Sequence, residues 1–255
     1  MSPTVAGLCS VTFRQLPWEQ VVEVAATAGL AAVEWGSDVH VPTGELATAQ
    51  RVAAACADAG LTCASYGSYL FAGKSDDAEV GPTMDTAAEL GAANVRVWCE
   101  MGEGPDAGED TRARITDQLA TFAEAGAARG LAVSLEFHSM TLTETAASTN
   151  RLLDDVGAPN LYTYWQPMDG VPVDELVGEL RAVRSRLSHL HVFRWRDGGE
   201  RLPLADGADL WPEALREAED PGVWDGDRVA FLEFVRDDDP DQLAADAATL
   251  LGWLA

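Results

Sequence analysis

The chain has 255 residues, which is long enough to bury a full hydrophobic core and leaves room for one large domain or two small ones. It carries 42 acidic and 17 basic side chains, for a formal net charge of −25. This charge repels polyanions, so nucleic acid and anionic membrane surfaces are poor partners.

The sequence also lacks the marks of a membrane or secreted protein. No run is long and apolar enough to span a bilayer, and no basic segment followed by an apolar core opens the chain. The cysteines Cys9, Cys56, Cys63 and Cys99 lack the spacing of a zinc knot or of a C-x-x-C redox motif. We therefore expect buried, reduced thiols and a cytoplasmic protein.

Short apolar runs alternate with amphipathic helical patterns, which is typical of βα units that feed a parallel sheet. Helix 1 is predicted to begin at Pro17, which suits a first helical position, and to end at Gly29. The same glycine stop recurs at Gly60, Gly91 and Gly130, each shortly before a new strand. Strands are predicted near residues 5–10, 31–35, 61–66, 94–98, 131–136, 160–166, 187–193 and 228–235.

Eight such units predict a closed (β/α)8 TIM barrel as one domain over residues 1–255, because about 250 residues is the typical length of that fold. A doubly wound open sheet is the alternative. No G-x-G-x-x-G follows the first strand, which counts against a dinucleotide-binding fold, and no interdomain linker is evident.

Three predicted strands end in side chains that can bind a metal ion. Every second side chain of a barrel strand faces the interior, which places Glu136, His191 and Glu233 on the inner faces of strands 5, 7 and 8. Each lies near the C-terminal end of its strand, where barrel enzymes keep their active sites. Because buried carboxylates are rare without a partner, we interpret both glutamates as functional.

Other polar residues inside the predicted strands have structural interpretations. His189 lies one layer deeper than His191 and is interpreted as a core histidine. Glu34 in strand 2 and Arg96 in strand 4 belong to even-numbered strands, which contribute to the same barrel layers. They are interpreted as a buried ion pair.

Five residues at or just beyond strand ends are predicted to bind substrate, because the loops there line the barrel mouth. His40 and His138 are candidates for binding substrate hydroxyls or for proton transfer, with hydrogen bonds inside the loops as the alternative. Tyr66 and Trp165 suit the apolar face of a ring-shaped ligand, with barrel packing as the alternative. Arg194 is a candidate for binding phosphate, with a solvated loop position as the alternative.

Together these motifs resemble the xylose isomerase-like barrels, the sugar-phosphate isomerase and epimerase group. The resemblance covers essentially the whole chain and rests chiefly on Leu-Glu-Phe-His at 135–138, Tyr-Trp-Gln-Pro at 164–167, His-Val-Phe at 191–193 and Leu-Glu-Phe-Val at 232–235. It implies one divalent metal ion held by Glu136, Gln166, His191 and Glu233. The family has an aspartate at the position of Gln166, whose uncharged amide should weaken magnesium binding, so the candidate ions are manganese, zinc and cobalt, with magnesium as a further candidate. A hydrogen bond from Gln166 to the substrate is the alternative to metal binding.

The resemblance implies an isomerase or epimerase of a small sugar, polyol or sugar phosphate, in which Glu136 and Glu233 move a proton through a metal-stabilised enediolate. The alternatives are a lyase or dehydratase on the same scaffold, and a non-catalytic carbohydrate-binding or partner subunit. A DNA-repair endonuclease of the same superfamily is disfavoured by the four histidines and the net charge of −25. The expected partner is a small-molecule carbohydrate, and the resemblance also implies a homodimer.

Overall fold

The computed structural model of the protein describes residues 4–196 and 198–255. Eight parallel strands form a closed barrel, in which the first strand pairs with both the second and the last. The predicted (β/α)8 barrel is confirmed. The barrel strands are β1 (Val5–Cys9), β2 (Ala32–Gly36), β3 (Thr62–Ala72), β4 (Asn94–Cys99), β5 (Ala132–Leu135), β6 (Leu161–Trp165), β7 (Leu187–Val192) and β10 (Val229–Leu232).

Helices follow the strands and cover the outside of the barrel. Strand β7 is the exception, because a short hairpin of β8 (Trp195–Arg196) and β9 (Glu200–Arg201) precedes the next helix. No helix in the described ranges is long and apolar enough to cross a membrane. The helices are α1 (Trp18–Thr27), α2 (Leu46–Asp58), α3 (Asp77–Leu90), α4 (Glu109–Ala127), α5 (Ala146–Val156), α6 (Val173–Val183), α7 (Trp211–Glu217) and α8 (Pro240–Leu254).

The predicted helix ends agree with the structure better than the predicted start of the first helix. Gly29, Gly60, Gly91 and Gly130 all adopt left-handed φ values between 71° and 75°, as their positions after helices require. The prediction that α1 begins at Pro17 is wrong. The helix begins at Trp18, and Pro17 is the extended residue before it. Its ψ of 156° keeps it outside the helix.

The barrel interior is filled in layers. Near the N-terminal end, Asn94 donates to Ser65 Oγ over 3.1 Å and accepts from Ser134 Oγ over 2.6 Å. Above them Tyr164 stacks on Phe231 with ring centroids 6.3 Å apart. These close-packed side chains lie directly beneath the ionisable residues at the C-terminal end of the barrel. The fold therefore fixes the positions of those residues.

Gly7 is where two neighbouring strands approach β1 most closely. A Cβ atom there would lie 2.6 Å from Val229 Cγ1 and 2.9 Å from the Ala32 carbonyl oxygen. We expect Gly7→Ala to lower the free energy of unfolding by about 1–3 kcal/mol in urea titrations, because an interior methyl group forces the strands apart. The matched control is Gly178→Ala in α6, where nothing lies within 4 Å of the added atom. There alanine should stabilise by about 0.5–1 kcal/mol, and equal effects at both sites would contradict the packing argument.

Candidate active site

The four residues predicted to bind metal meet at the C-terminal end of the barrel. Glu136, Gln166 and Glu233 immediately follow β5, β6 and β10, and His191 lies within β7. His191 Nδ1 is 3.1 Å from Gln166 Oε1, 3.3 Å from Glu233 Oε2 and 4.0 Å from Glu136 Oε1. All four side chains are buried, so three oxygens face the His191 nitrogen inside the protein at 3.1–4.0 Å.

This donor set fits a divalent metal ion. Ligands about 2.1 Å from a common ion lie about 3.0–3.4 Å apart, close to the separations from His191 Nδ1 to Gln166 and Glu233. Glu233 Oε2 is buried and makes no hydrogen bond, which is costly for a carboxylate oxygen unless a cation compensates it. Mixed nitrogen and oxygen ligands with two carboxylates suit manganese, zinc or cobalt better than magnesium.

Glu34 holds the opposite edge of the His191 ring. His191 Nε2 donates to Glu34 Oε1 over 3.2 Å, which fixes the ring so that Nδ1 faces the other three residues. Tyr164 donates to Glu34 Oε2 over 2.7 Å, and Arg96 Nε donates to Glu34 Oε1 over 3.0 Å. The predicted ion pair of Glu34 and Arg96 is therefore confirmed, and it belongs to a network that orients a candidate metal ligand.

Arg96 also ties down one of the two candidate catalytic glutamates. Its Nη1 forms an ion pair with Glu136 Oε2, and Gln166 Nε2 lies 3.4 Å from Glu136 Oε1. Both oxygens of Glu136 thus have hydrogen-bond partners, whereas Glu233 Oε2 makes no hydrogen bond among the described residues and faces His191 Nδ1 at 3.3 Å. The two carboxylates are chemically unequal.

Cys9, Glu34 and His191 form a second cluster of groups that bind metals, with ligand atoms within 4.8 Å of one another. Burial raises the pKa of Cys9 well above its usual value, and the nearby carboxylates of Glu34 and Glu233 raise it further. Its thiol donates to Glu34 Oε1 over 3.3 Å, and the same oxygen accepts from Arg96. A protonated thiol is a weak metal ligand, and the Glu34 oxygen nearest to it already accepts from Arg96, so this cluster fits an ion less well.

The electrostatics of the site depend on charges held out of water. Burial lowers the pKa of His191, but the carboxylates of Glu233, Glu34 and Glu136 outweigh it and raise that pKa to about 9. Burial raises the pKa of Glu233 to about 7 against the opposing effect of His191. His189, deeper in the barrel, has its pKa lowered by burial to about 3 and accepts a hydrogen bond from the Val229 amide, as its core interpretation predicts.

A cavity of about 240 Å³ opens above these residues, and Arg96, Glu136, Gln166 and Glu233 line it. Its walls are strongly aromatic. Trp98 packs on His138 with ring centroids 4.8 Å apart, and Trp195 packs on Phe234 at 4.9 Å. The other aromatic side chains in the lining are Tyr69 and Phe193.

The structure separates the five residues predicted to bind substrate into two groups. His138 lines this cavity, and Arg194 lines an adjoining space. His40 is buried against Ser10 Oγ at 3.0 Å, so its loop folds back on the barrel. Tyr66 donates to the Val41 carbonyl, and Trp165 packs against α7; both are fully buried. A substrate-binding role for His40, Tyr66 and Trp165 is not supported by their placement.

Sequence reasoning missed some of the residues around the site. Strand alternation would have found Cys9, which shares the inner face of β1 with Val5 and Gly7. Phe234 carries no such signal, because its inward position depends on a φ of 54°, a strained conformation for a bulky residue.

Comparisons with known proteins identify the family and the fold of the chain. The model of the family "Xylose isomerase-like TIM barrel" matches residues 22–254. A 3-dehydroshikimate dehydratase of Bacillus anthracis is 26% identical over 274 residues, which cover 96% of this chain and 95% of that protein.

Solved structures share the fold over nearly the whole chain. The probable 3-DHS dehydratase AsbF of Bacillus anthracis has a TM-score of 0.80 at 20% identity, covering 97% of this chain and 99% of its own. A 3-keto-D-glucoside 4-epimerase of E. coli has a TM-score of 0.73 at 18% identity, covering 98% of each chain. The IOLI protein, solved with a zinc atom, has a TM-score of 0.73 at 14% identity and also covers 98% of each.

Proposed function

Because the chain belongs to the xylose isomerase-like TIM barrel family, we propose that it is a metal-dependent dehydratase acting on a small hydroxylated ring. The enzyme removes a proton from the carbon next to a carbonyl group and expels the hydroxyl group on the following carbon as water. The observation that supports this proposal is the inequality of the two glutamates: Arg96 and Gln166 bind the two oxygens of Glu136, whereas Glu233 Oε2 makes no hydrogen bond.

Glu136, Gln166, His191 and Glu233 would hold the divalent ion. When bound, such an ion polarises the carbonyl oxygen of the substrate and makes the neighbouring C–H bond more acidic. Glu34 keeps His191 oriented through Nε2, and Arg96 keeps Glu136 in place. These residues therefore need not move during the reaction.

Glu233 is the group that moves the proton. Its carboxylate takes the proton from the substrate carbon, the C–H electron pair becomes the new C=C bond, and the C–O bond to the hydroxyl breaks. Glu233 then returns the proton to the departing hydroxyl, which leaves as water. Dehydration in this way needs one mobile base, whereas epimerisation needs a second group to deliver a proton to the opposite face.

Two other features support dehydration over epimerisation. The dehydratase of Bacillus anthracis matches nearly its full length at 26% identity, and its named substrate, 3-dehydroshikimate, is proposed here as the first compound to test. The cavity between Trp98 and Trp195 also suits a product flattened by a new double bond, because flat rings stack well on aromatic side chains.

Epimerisation is the second candidate. Its support is that Glu136 and Glu233 follow β5 and β10, which are separated in the barrel by β6 and β7, so the two carboxylates can approach a substrate from different sides. Arg96 would then have to release Glu136 during the reaction.

Product mass distinguishes the two activities. Metal-loaded protein is incubated with 3-dehydroshikimate and with a panel of small keto sugars in D2O, and the products are analysed by mass spectrometry. We expect a product lighter by one water molecule. A product that has lost no water but has gained deuterium at carbon would support epimerisation instead of dehydration. If no compound changes, both proposed activities are contradicted.

A further inference from the structure

A second space adjoins the cavity above the metal ligands. This outer chamber, of about 660 Å³, lies between residues 167–173, which follow β6, and residues 193–196 and 202–210, which follow β7. The two spaces share five lining residues, which makes them neighbouring parts of one depression: Pro167, Met168, Asp169, Phe193 and Trp195.

The sizes of the two spaces differ in a way that bears on the substrate. Ligand pockets are commonly about 300–1,000 Å³. The inner cavity, at about 240 Å³, is smaller than this range and suits a single ring. The outer chamber is larger than the inner cavity, so a ring that reacts beside Glu233 leaves most of the depression unfilled.

The lining of the outer chamber combines three kinds of side chain. Phe193 and Trp195 form an aromatic wall with ring centroids 5.0 Å apart. Apolar side chains, among them Val171 and Leu202, cover part of the surface. The charged members have both signs, and they are Asp169, Asp206, Arg194 and Arg196.

These charges are balanced and already engaged in part. Arg194 Nη2 donates to Asp209 Oδ2 over 3.2 Å, and Arg196 Nη1 donates to Glu200 Oε2 over 2.7 Å. Asp169 and Asp206 are exposed in the lining, where their carboxylates would repel a phosphate group. Carboxylate and guanidinium groups together instead suit hydroxyl groups, which both donate and accept hydrogen bonds. The aromatic wall beside them suits the apolar face of a hydroxylated ring.

We infer that the outer chamber binds a second hydroxylated ring, such as a sugar, that is attached to the ring reacting in the inner cavity. The inference rests on the proposed function for the position of the reacting ring. Trp195 lies at the junction and lines both spaces, so it contacts both halves of such a two-ring substrate. Arg194 thereby has a role in binding sugar hydroxyls, not phosphate.

The test is a binding experiment that requires no turnover. The full chain, loaded with zinc, is titrated with D-glucose, cellobiose and phenyl β-D-glucopyranoside and followed by saturation-transfer difference NMR. We expect both two-ring probes to bind at least 10-fold more tightly than glucose. Equal affinities, including no detectable binding of any probe, would overturn the inference.

Variants then locate the second ring. Leu202→Trp and Val171→Trp each fill the outer chamber from a different segment, so either one serves if the other fails to fold. Each should reduce the affinity for cellobiose to that for glucose. The matched control, Leu251→Trp, changes an exposed leucine on α8 and should leave the preference intact. A preference that survives both chamber variants would overturn the inference.

The result is distinguishable from a failure of the proposed function. If the protein prefers two-ring probes but no substrate loses water, the inference about the outer chamber is supported and the proposed dehydration is wrong. If a single-ring compound loses water and cellobiose binds no better than glucose, the dehydration is supported and the inference about the outer chamber is wrong.

Discussion

Replacing Glu233 by glutamine is expected to reduce the turnover number of the proposed dehydration by about 100- to 10,000-fold, the usual contribution of a positioned acid–base group. The amide has nearly the shape of the carboxylate and keeps an oxygen for the metal ion, but it cannot take a proton. The loss should therefore remain when the metal is saturating. It is measured as kcat from the rate of product formation at increasing manganese concentrations.

Two further variants serve as comparisons for Glu233→Gln, one remote from the site and one at the other candidate glutamate. Glu89→Gln, on the exposed face of α3, removes one carboxylate remote from the site and should leave kcat unchanged. Glu136→Gln should mainly weaken metal binding, because this carboxylate is held by Arg96 and Gln166. A full kcat in Glu233→Gln at saturating metal would show that another group moves the proton.

The second large effect is expected at Glu34, which does not itself line the cavity. Glu34→Gln removes the charge that orients His191 through Nε2 and that faces Arg96. Losing an outer partner of a metal-binding histidine commonly weakens metal affinity by about 10- to 100-fold. Breaking the buried ion pair should also lower the free energy of unfolding by about 3 kcal/mol or more.

Manganese titration followed by electron paramagnetic resonance measures the first effect, and urea unfolding measures the second. The comparison variant is Glu175→Gln, an exposed carboxylate in the first turn of α6, where both effects should be small. Glu34→Gln with unchanged metal affinity would mean that His191 is positioned without it, or that it is not a ligand.

Local patterns predicted the fold because each βα unit repeats the same signals. All eight predicted barrel strands overlap the observed ones, and the glycines after α1 to α4 end their helices as expected. The main element that was not predicted is the β8–β9 hairpin. Its strands have only two residues each, which is too short for an apolar pattern to indicate them.

The candidate metal ligands could be chosen from sequence because strand alternation fixes which side chains face inward. The same rule argues against Trp165, since Tyr164 and Gln166 on either side of it face the interior. His40 lies in a loop, where no such period applies, and its fold-back onto Ser10 depends on tertiary contacts. The shape of the cavity was equally inaccessible, because it depends on loops and on the positive φ of Phe234.

The most direct test of the central claim is elemental analysis of protein purified without added metal and then dialysed against manganese, zinc, cobalt or magnesium. We expect about one divalent ion per chain in the wild type, most readily manganese, zinc or cobalt, and much less in Glu136→Gln and Glu233→Gln. No bound ion from any of the four solutions would contradict a metal centre built from Glu136, Gln166, His191 and Glu233, and with it the proposed dehydration.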